Sequence, residues 1–255
     1  MDISSSIFWF SGTGNSLYAA KRLSEELGST TLTQIKDEAP AVAVGGVRKK
    51  VGFVFPSYYC NLPRAVRAFV EKLEIMPDTY IYAIVTMGGP GQGSVSAMNK
   101  LLKEKGMRLN YSRGIHMPAN NVLRYNPADP VKSDKALEKA NELLRTFAAD
   151  IKARTELIKS HPFILRNHYK NIESLDAGFT AGKDCTGCGR CEKICPVRNI
   201  QIENGKPQWL HHCEHCVACI SWCPAMAIEN GNNTQNRRRY RNPRVTADDL
   251  TRKGL

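Results

Sequence analysis

Eight of the nine cysteines fall between residues 185 and 223, in two copies of one pattern. The first copy is Cys185-Thr-Gly-Cys188-Gly-Arg-Cys191-Glu-Lys-Ile-Cys195-Pro196, and the second is Cys213-Glu-His-Cys216-Val-Ala-Cys219-Ile-Ser-Trp-Cys223-Pro224. Both read C-x2-C-x2-C-x3-C-P, a spacing that suits thiolate ligands of [4Fe–4S] clusters. Three thiolates two residues apart wrap a short loop around three corners of a cubane. The chain then turns into a helix and cannot return to the fourth corner. The cysteine before proline is therefore expected to ligate the other cluster. Cys185, Cys188, Cys191 and Cys223 form one expected ligand set, and Cys213, Cys216, Cys219 and Cys195 the other. Gly187 and Gly189 let backbone N–H groups approach the sulfides of the first site; the second loop has no glycine and carries His215. Zinc would use the two C-x2-C pairs Cys188/Cys191 and Cys213/Cys216 but leaves four cysteines and both prolines unexplained. A disulfide scaffold has no support, because the start of the chain shows no basic region leading into a long apolar stretch.

A second candidate site is the glycine-rich segment Phe10-Ser11-Gly12-Thr13-Gly14-Asn15-Ser16, between an apolar run and a helical pattern. A phosphate fits on such a helix N-terminus, where unpaired N–H groups and the helix dipole favour an anion. No lysine stands where a nucleotide-triphosphate loop needs one. The position of a third glycine in a dinucleotide fingerprint is Leu17, and Asp37 and Glu38 fall late for its ribose partner. What remains is a loop of neutral donors, Ser11, Thr13 and Ser16 with Asn15, suited to a phosphate monoester.

The elements that must position these residues follow from periodicity. Ile7–Phe10, Val51–Phe55 and Tyr80–Thr86 read as buried strands, Thr31–Ile35 as a weak one and Leu109–Ile115 as a last one. Between them lie helical faces. One starts near Asn15 and stops at Gly28. Another follows Pro63 with Val66, Phe69, Val70 and Leu73, and a third carries Val95, Met98, Leu101 and Leu102. A long helix is expected from Asp134 to Arg154. Strands alternating with helices predict a parallel sheet covered on both faces. His161-Pro162 stops the pattern. Residues 1–160 thus form one expected domain, 161–182 a linker, 183–230 a small cluster-stapled domain and 231–255 a basic, loosely ordered tail.

Residues 183–230 resemble the two-cluster bacterial ferredoxins on the doubled cysteine motif. Residues 5–155 resemble flavodoxins, whose FMN-phosphate loop reads Ser/Thr-x-Thr-Gly-Asn-Thr/Ser. The resemblance implies α/β architecture: a flavodoxin-like doubly wound parallel sheet with a second, small α+β bacterial-ferredoxin domain. It also implies FMN at the carboxyl ends of the strands. Beside the phosphate loop, the flavin-binding residues would then be Pro56, Ser57, Tyr58, Tyr59 and Asn61 after one strand, and Met87, Gly88, Gly89 and Gly91 after the next. Tyr58 or Tyr59 would stack on the ring. Asn61 stands where the family usually has a glycine near the flavin N5, and asparagine tolerates positive φ. Cys60 reads as a small buried hydrophobe rather than a redox thiol, and His116 as a loop residue rather than a pocket group.

The order of the two modules resembles flavodoxin–ferredoxin fusion proteins of anaerobic microbes. That likeness implies a cytoplasmic electron-transfer protein. It would pass electrons between FMN, two [4Fe–4S] clusters and a redox partner protein such as a ferredoxin, a ferredoxin-linked oxidoreductase or a hydrogenase. The alternative is an FMN-dependent reductase of a quinone or disulfide, fed by the clusters. The formal charge is +12, which raises a nucleic-acid partner. The charge is spread, however, and the one dense run is Arg237-Arg238-Arg239-Tyr240-Arg241. Two oxidised clusters would bring about −2 each, so charge alone argues for no nucleic-acid partner. No apolar run reaches the ~18 residues of a membrane span.

Overall fold

The computed structural model describes residues 5–35, 43–89, 92–159 and 175–251. These fall into two compact units. One holds residues 5–10, 16–117 and 134–159; the other holds 11–15, 118–133 and 175–251.

The first unit is built on a six-stranded sheet. Its strands are β1 (Ser5–Trp9), β2 (Thr30–Gln34), β4 (Lys50–Pro56), β6 (Tyr80–Met87), β7 (Tyr111–His116) and the short β8 (Leu157–Ile158). Their order across the sheet is β2-β1-β4-β6-β7-β8, and every pairing is parallel. Two two-residue strands, β3 (Val44–Gly45) and β5 (Ile75–Met76), pair in parallel apart from it. With these set aside, the first five main strands run in the flavodoxin-like order 2-1-3-4-5, reversing beside the first strand. The crossovers are α1 (Asn15–Leu27), α2 (Arg64–Lys72), α3 (Gln92–Glu104) and α4 (Pro130–Lys152).

Sheet and helices close on one core. Phe8, Phe53 and Phe69 meet there, with ring centroids 5.9 Å (Phe8–Phe53) and 5.1 Å (Phe8–Phe69) apart. Val66, Phe69 and Val70 form the buried face of α2, as their spacing predicts. Helix α4 starts four residues earlier than expected. Pro130 supplies a first-turn residue whose missing N–H costs nothing, and Asp129 Oδ1 accepts the Lys132 N–H at 2.9 Å. The short strands β3, β5 and β8 carry too few residues to show a period, which is why the sequence pattern passes over them.

The second unit is a doubled motif. Strand β9 (Phe179–Ala181) pairs antiparallel with β12 (Ile228–Asn230), and β10 (Ile200–Glu203) with β11 (Lys206–Trp209). Two five-residue helices lie between them in the chain, α5 (Arg190–Ile194) and α6 (Ala218–Trp222). Its small core gathers Val122, Phe179, Ile200, Val217, Ile220 and Ile228.

Residues 231–251 are not loosely ordered. Tyr240, Asn242, Val245 and Leu250 are buried, and α7 (Ala247–Leu250) opens on a reciprocal capping box between Thr246 and Asp249. The arginine run owes its order to carbonyl groups. Arg237 donates to Val122 O at 2.7 Å, and Arg238 donates through Nε and Nη2 to Pro127 O at 3.0 and 2.8 Å. Arg239 pairs with Glu229 at 2.6 Å, and Arg241 lies over the Trp222 ring. A polar, basic composition resembled a solvated tail because guanidinium groups that saturate backbone carbonyls leave no apolar period behind. His161-Pro162 and most of the expected linker lie outside the described residues.

Truncating the central aromatic tests the first core. Phe53→Ala should cost about 3–5 kcal/mol, read by chemical denaturation of the whole chain.

Candidate metal centre and phosphate loop

The two cysteine loops share one backbone path. Gly187 and Gly189 take left-handed φ values of 68° and 72°, and the equivalent His215 and Val217 take 57° and 56°. Past each helix, Arg198 and Met226 again match, at 51° and 48°. A left-handed conformation is disfavoured for a side chain and most of all for β-branched valine. The second loop therefore holds this path through packing rather than through glycine, with Val217 buried in the small core. Each helix ends on an extended cysteine, Cys195 or Cys223, as the following proline requires.

This path opens two cavities. One is lined by Cys185, Cys188, Cys191 and Cys223. The other is lined by Cys213, Cys216, Cys219 and Cys195. Each thus takes three cysteines from one loop and the fourth from the other. Among the described residues no three His, Cys, Asp or Glu side chains converge closely enough to hold a single metal ion. The cysteines of each set line one space, which fits a cubane. Cys219 and Cys223 line different cavities yet stand four residues apart, about 6 Å of helix.

Backbone donors already address the sulfurs. Asn199 N–H reaches Cys195 Sγ at 3.2 Å and Ala227 N–H reaches Cys223 Sγ at 3.3 Å, the same contact in each copy. His215 N–H reaches Cys213 Sγ at 3.2 Å. Burial pushes the Cys191 and Cys213 thiols up to about 12, and those of Cys216 and Cys219 well above their ordinary value. Binding iron must therefore displace protons. Burial, with the nearby Arg124 charge, holds His215 below the usual imidazole range. The fully buried Asp176 carboxylate steadies the second cavity. It accepts from Asn199 Nδ2 at 2.7 Å and from His211 N at 3.1 Å, and its other oxygen meets His211 Nδ1 at 2.9 Å. Asn199 Oδ1 in turn accepts the His212 N–H at 2.6 Å. Sequence reasoning passed over Asp176 because it lies in a stretch without a period.

Within the same unit lies the loop Ser11–Asn15. Ser11 Oγ accepts the Gly14 N–H at 3.1 Å, and Thr13 Oγ1 accepts from Asn120 Nδ2 at 2.7 Å. Both hydroxyls keep a proton to donate. The 13-residue helix α1 starts at Asn15 with no acidic residue in its first turn, so nothing there repels an anion. These features fit a phosphate. The Asn15 side chain is otherwise engaged. Its Nδ2 donates to Pro118 O at 3.1 Å, and its Oδ1 accepts from Tyr240 Oη at 2.7 Å and from Asn242 Nδ2 at 3.0 Å. Gly12 and Gly14 permit close packing: a Cβ would lie 2.3 Å from Cys216 O at Gly12 and 2.9 Å from Asn242 Cβ at Gly14. Tyr240, Asn242, Asn120 and Trp222, whose Nε1–H donates to Gly12 O at 3.0 Å, carried no motif that sequence reasoning could use.

The other expected flavin residues lie in the first unit. Ser16 Oγ bonds Thr86 Oγ1 at 2.7 Å. After β4, Tyr58 and Asn61 bridge a tight turn, with Asn61 N–H to Tyr58 O at 2.8 Å. The left-handed residues of that turn are Tyr59 and Cys60, at φ 52° and 60°, and not Asn61. Asn61 instead uses its side chain to accept the Leu62 N–H at 2.8 Å, so it does not take the backbone role of a glycine. Cys60 is half-buried in the turn rather than a core residue. Tyr58 sets its ring edge-on to Phe10, 6.4 Å away. Ser57 Oγ accepts from Ser94 Oγ at 2.8 Å, and Pro56 closes β4. Met87 closes β6 with its side chain in the space that Gly114 leaves; Gly88 and Gly89 follow it, and Gly91 lies outside the described residues. His116 is exposed at the end of β7.

Residues 183–201 match the 4Fe-4S binding domain family. The chain joins a flavodoxin-like fold to a 4Fe–4S binding motif. No curated protein matches the sequence. Among solved structures, a putative flavoprotein from Bacteroides uniformis is similar at 16% identity and a TM-score of 0.37, over 46% of this chain and 92% of that one. The two-electron reduced flavodoxin of Megasphaera elsdenii aligns at 13% identity and a TM-score of 0.36, over 57% and 98%. An FMN-dependent NADH-azoreductase from Bacillus anthracis, in complex with FMN, aligns at 11% and 0.39, over 58% and 98%. The fold assignment rests on the parallel strand order and not on these alignments.

The crossed ligand sets have a direct test. In anaerobically prepared protein, Cys195→Ser and Cys216→Ser should leave the same surviving cluster, with matching EPR spectra. A Cys195→Ser spectrum that matches Cys188→Ser instead would assign each motif its own cluster. Asp176→Ala leaves buried donors unpaired and should cost about 1–3 kcal/mol, read by denaturation of the cluster-loaded chain.

Proposed function

We propose that this chain is an electron-transfer protein with two [4Fe–4S] clusters and one FMN. The observation that carries this reading is the pair of cavities, each lined by three cysteines of one motif and the fourth of the other. Eight thiolates would hold the clusters, each of which passes one electron, and FMN when bound accepts one or two. The remaining work belongs to the chain. Ser11, Thr13 and Ser16, with the backbone of Gly12, Gly14 and Asn15, hold the phosphate. Pro56, Ser57, Tyr58, Tyr59 and Asn61, with Met87, Gly88 and Gly89, hold the ring. The N–H donors to Cys195, Cys213 and Cys223 stabilise anionic sulfur and set the cluster potentials.

The acceptor is a redox partner protein, for which a ferredoxin, a ferredoxin-linked oxidoreductase or a hydrogenase has the right chemistry. A cytoplasmic location goes with this reading. Among the described residues no helix is long and apolar enough to cross a membrane. Arg237, Arg238 and Arg239 of the arginine run bond internal carbonyls and Glu229.

An anaerobic redox titration followed by optical and EPR spectra tests the reading. Flavin bands and two cluster signals, each reducible within one chain, are expected. Dithionite-reduced protein should then reduce an added ferredoxin and show no steady-state turnover with quinones or disulfides. Turnover of those small acceptors would favour a flavin-dependent reductase instead.

A further inference from the structure

The phosphate loop is held from the far end of the chain. Asn15 Oδ1 accepts two hydrogen bonds, from Tyr240 Oη at 2.7 Å and Asn242 Nδ2 at 3.0 Å, and Asn242 N–H donates to Thr13 O at 2.9 Å. All four residues are at least nine-tenths buried. Asn242 therefore grips the loop twice, once through its backbone and once through its side chain. Asn242 is itself fixed by the turn beyond it, in which Arg244 N–H donates to its Oδ1 at 2.9 Å and Val245 N–H to its carbonyl at 3.2 Å. At Gly14, whose φ is 97°, an added Cβ would lie 2.9 Å from Asn242 Cβ. The loop carries no charged group of its own, so its hold on a phosphate depends on keeping hydroxyl and N–H donors fixed in place.

We propose that Tyr240 and Asn242 are positioning residues for the flavin phosphate. The C-terminal segment, outside any flavodoxin-like part of the sequence, presets the loop 11–15 in its anion-binding conformation. Tyr240 and Asn242 act through Asn15 and Thr13, whose satisfied side chain and carbonyl fix the peptide planes that carry the loop N–H groups. This inference rests on the FMN reading above. It predicts that the contribution of the phosphate to flavin affinity falls when the strut is cut, while the contribution of the ring does not.

The test is a pair of flavin titrations on the full, cluster-loaded chain. The probes are FMN and riboflavin, and the variants are Tyr240→Phe, Asn242→Ala and the double variant. Iron and labile sulfide are measured on each to show that the cluster unit is intact. The double variant should bind FMN at least tenfold more weakly and riboflavin as before, so that the preference for FMN narrows. Tyr240→Phe, which keeps the ring packing and removes one hydrogen bond, should show a smaller loss of the same kind. Unchanged or tighter FMN binding with full iron content would overturn the inference, as would an equal loss for both flavins. A wild-type chain that binds neither flavin would instead remove the FMN reading itself, and this inference with it.

Discussion

A cube has four corners to ligate, and a C-x2-C-x2-C loop reaches three of them. The second unit is organised by that geometric shortfall. Each motif must run into a helix, turn at a proline and deliver its last cysteine to the other cavity. Neither half closes alone, so the two copies must fold together and their cavities must adjoin. The matched left-handed residues, the matched N–H contacts to Cys195 and Cys223 and the paired antiparallel strands follow from solving one problem twice. The cysteine-bearing stretch 183–230 is short and poor in apolar residues, and ligation of clusters would supply the missing cohesion.

The first unit solves a different problem with ordinary means. Its parallel sheet places the loops after β4 and β6 at the carboxyl ends of adjacent strands, and the strand order reverses beside β1, where such folds bind ligands. The loop 11–15 of the second unit carries no charged side chain. A phosphate bound there would be held by oriented dipoles, which is effective only when the dipoles are fixed beforehand. The dense bonding around Asn15 and Thr13 meets that requirement, and it draws on Asn120, Tyr240 and Asn242, far apart in the chain.

Much of this was legible in the residues. The division of the eight cysteines between two cavities follows the spacing of the two motifs. The strands Ile7–Phe10, Val51–Phe55 and Tyr80–Thr86 show as apolar runs because both faces of a parallel sheet are buried. The tail was misread because its order comes from guanidinium–carbonyl bonds and single buried side chains, neither of which has a period. Asp176 and Asn242 were invisible for the same reason: a buried polar residue is recognisable only once its partners are known. Asn61 was assigned a glycine's conformation by position, whereas the turn places its positive φ values at Tyr59 and Cys60.

The central claim is that two interleaved clusters and one flavin belong to one polypeptide. Quantifying iron, acid-labile sulfide and flavin per chain after oxygen-free purification addresses it most directly. The account requires about eight irons, about eight sulfides and one FMN. Bound zinc without sulfide, half that iron, or cluster-replete protein that takes up no flavin would contradict it.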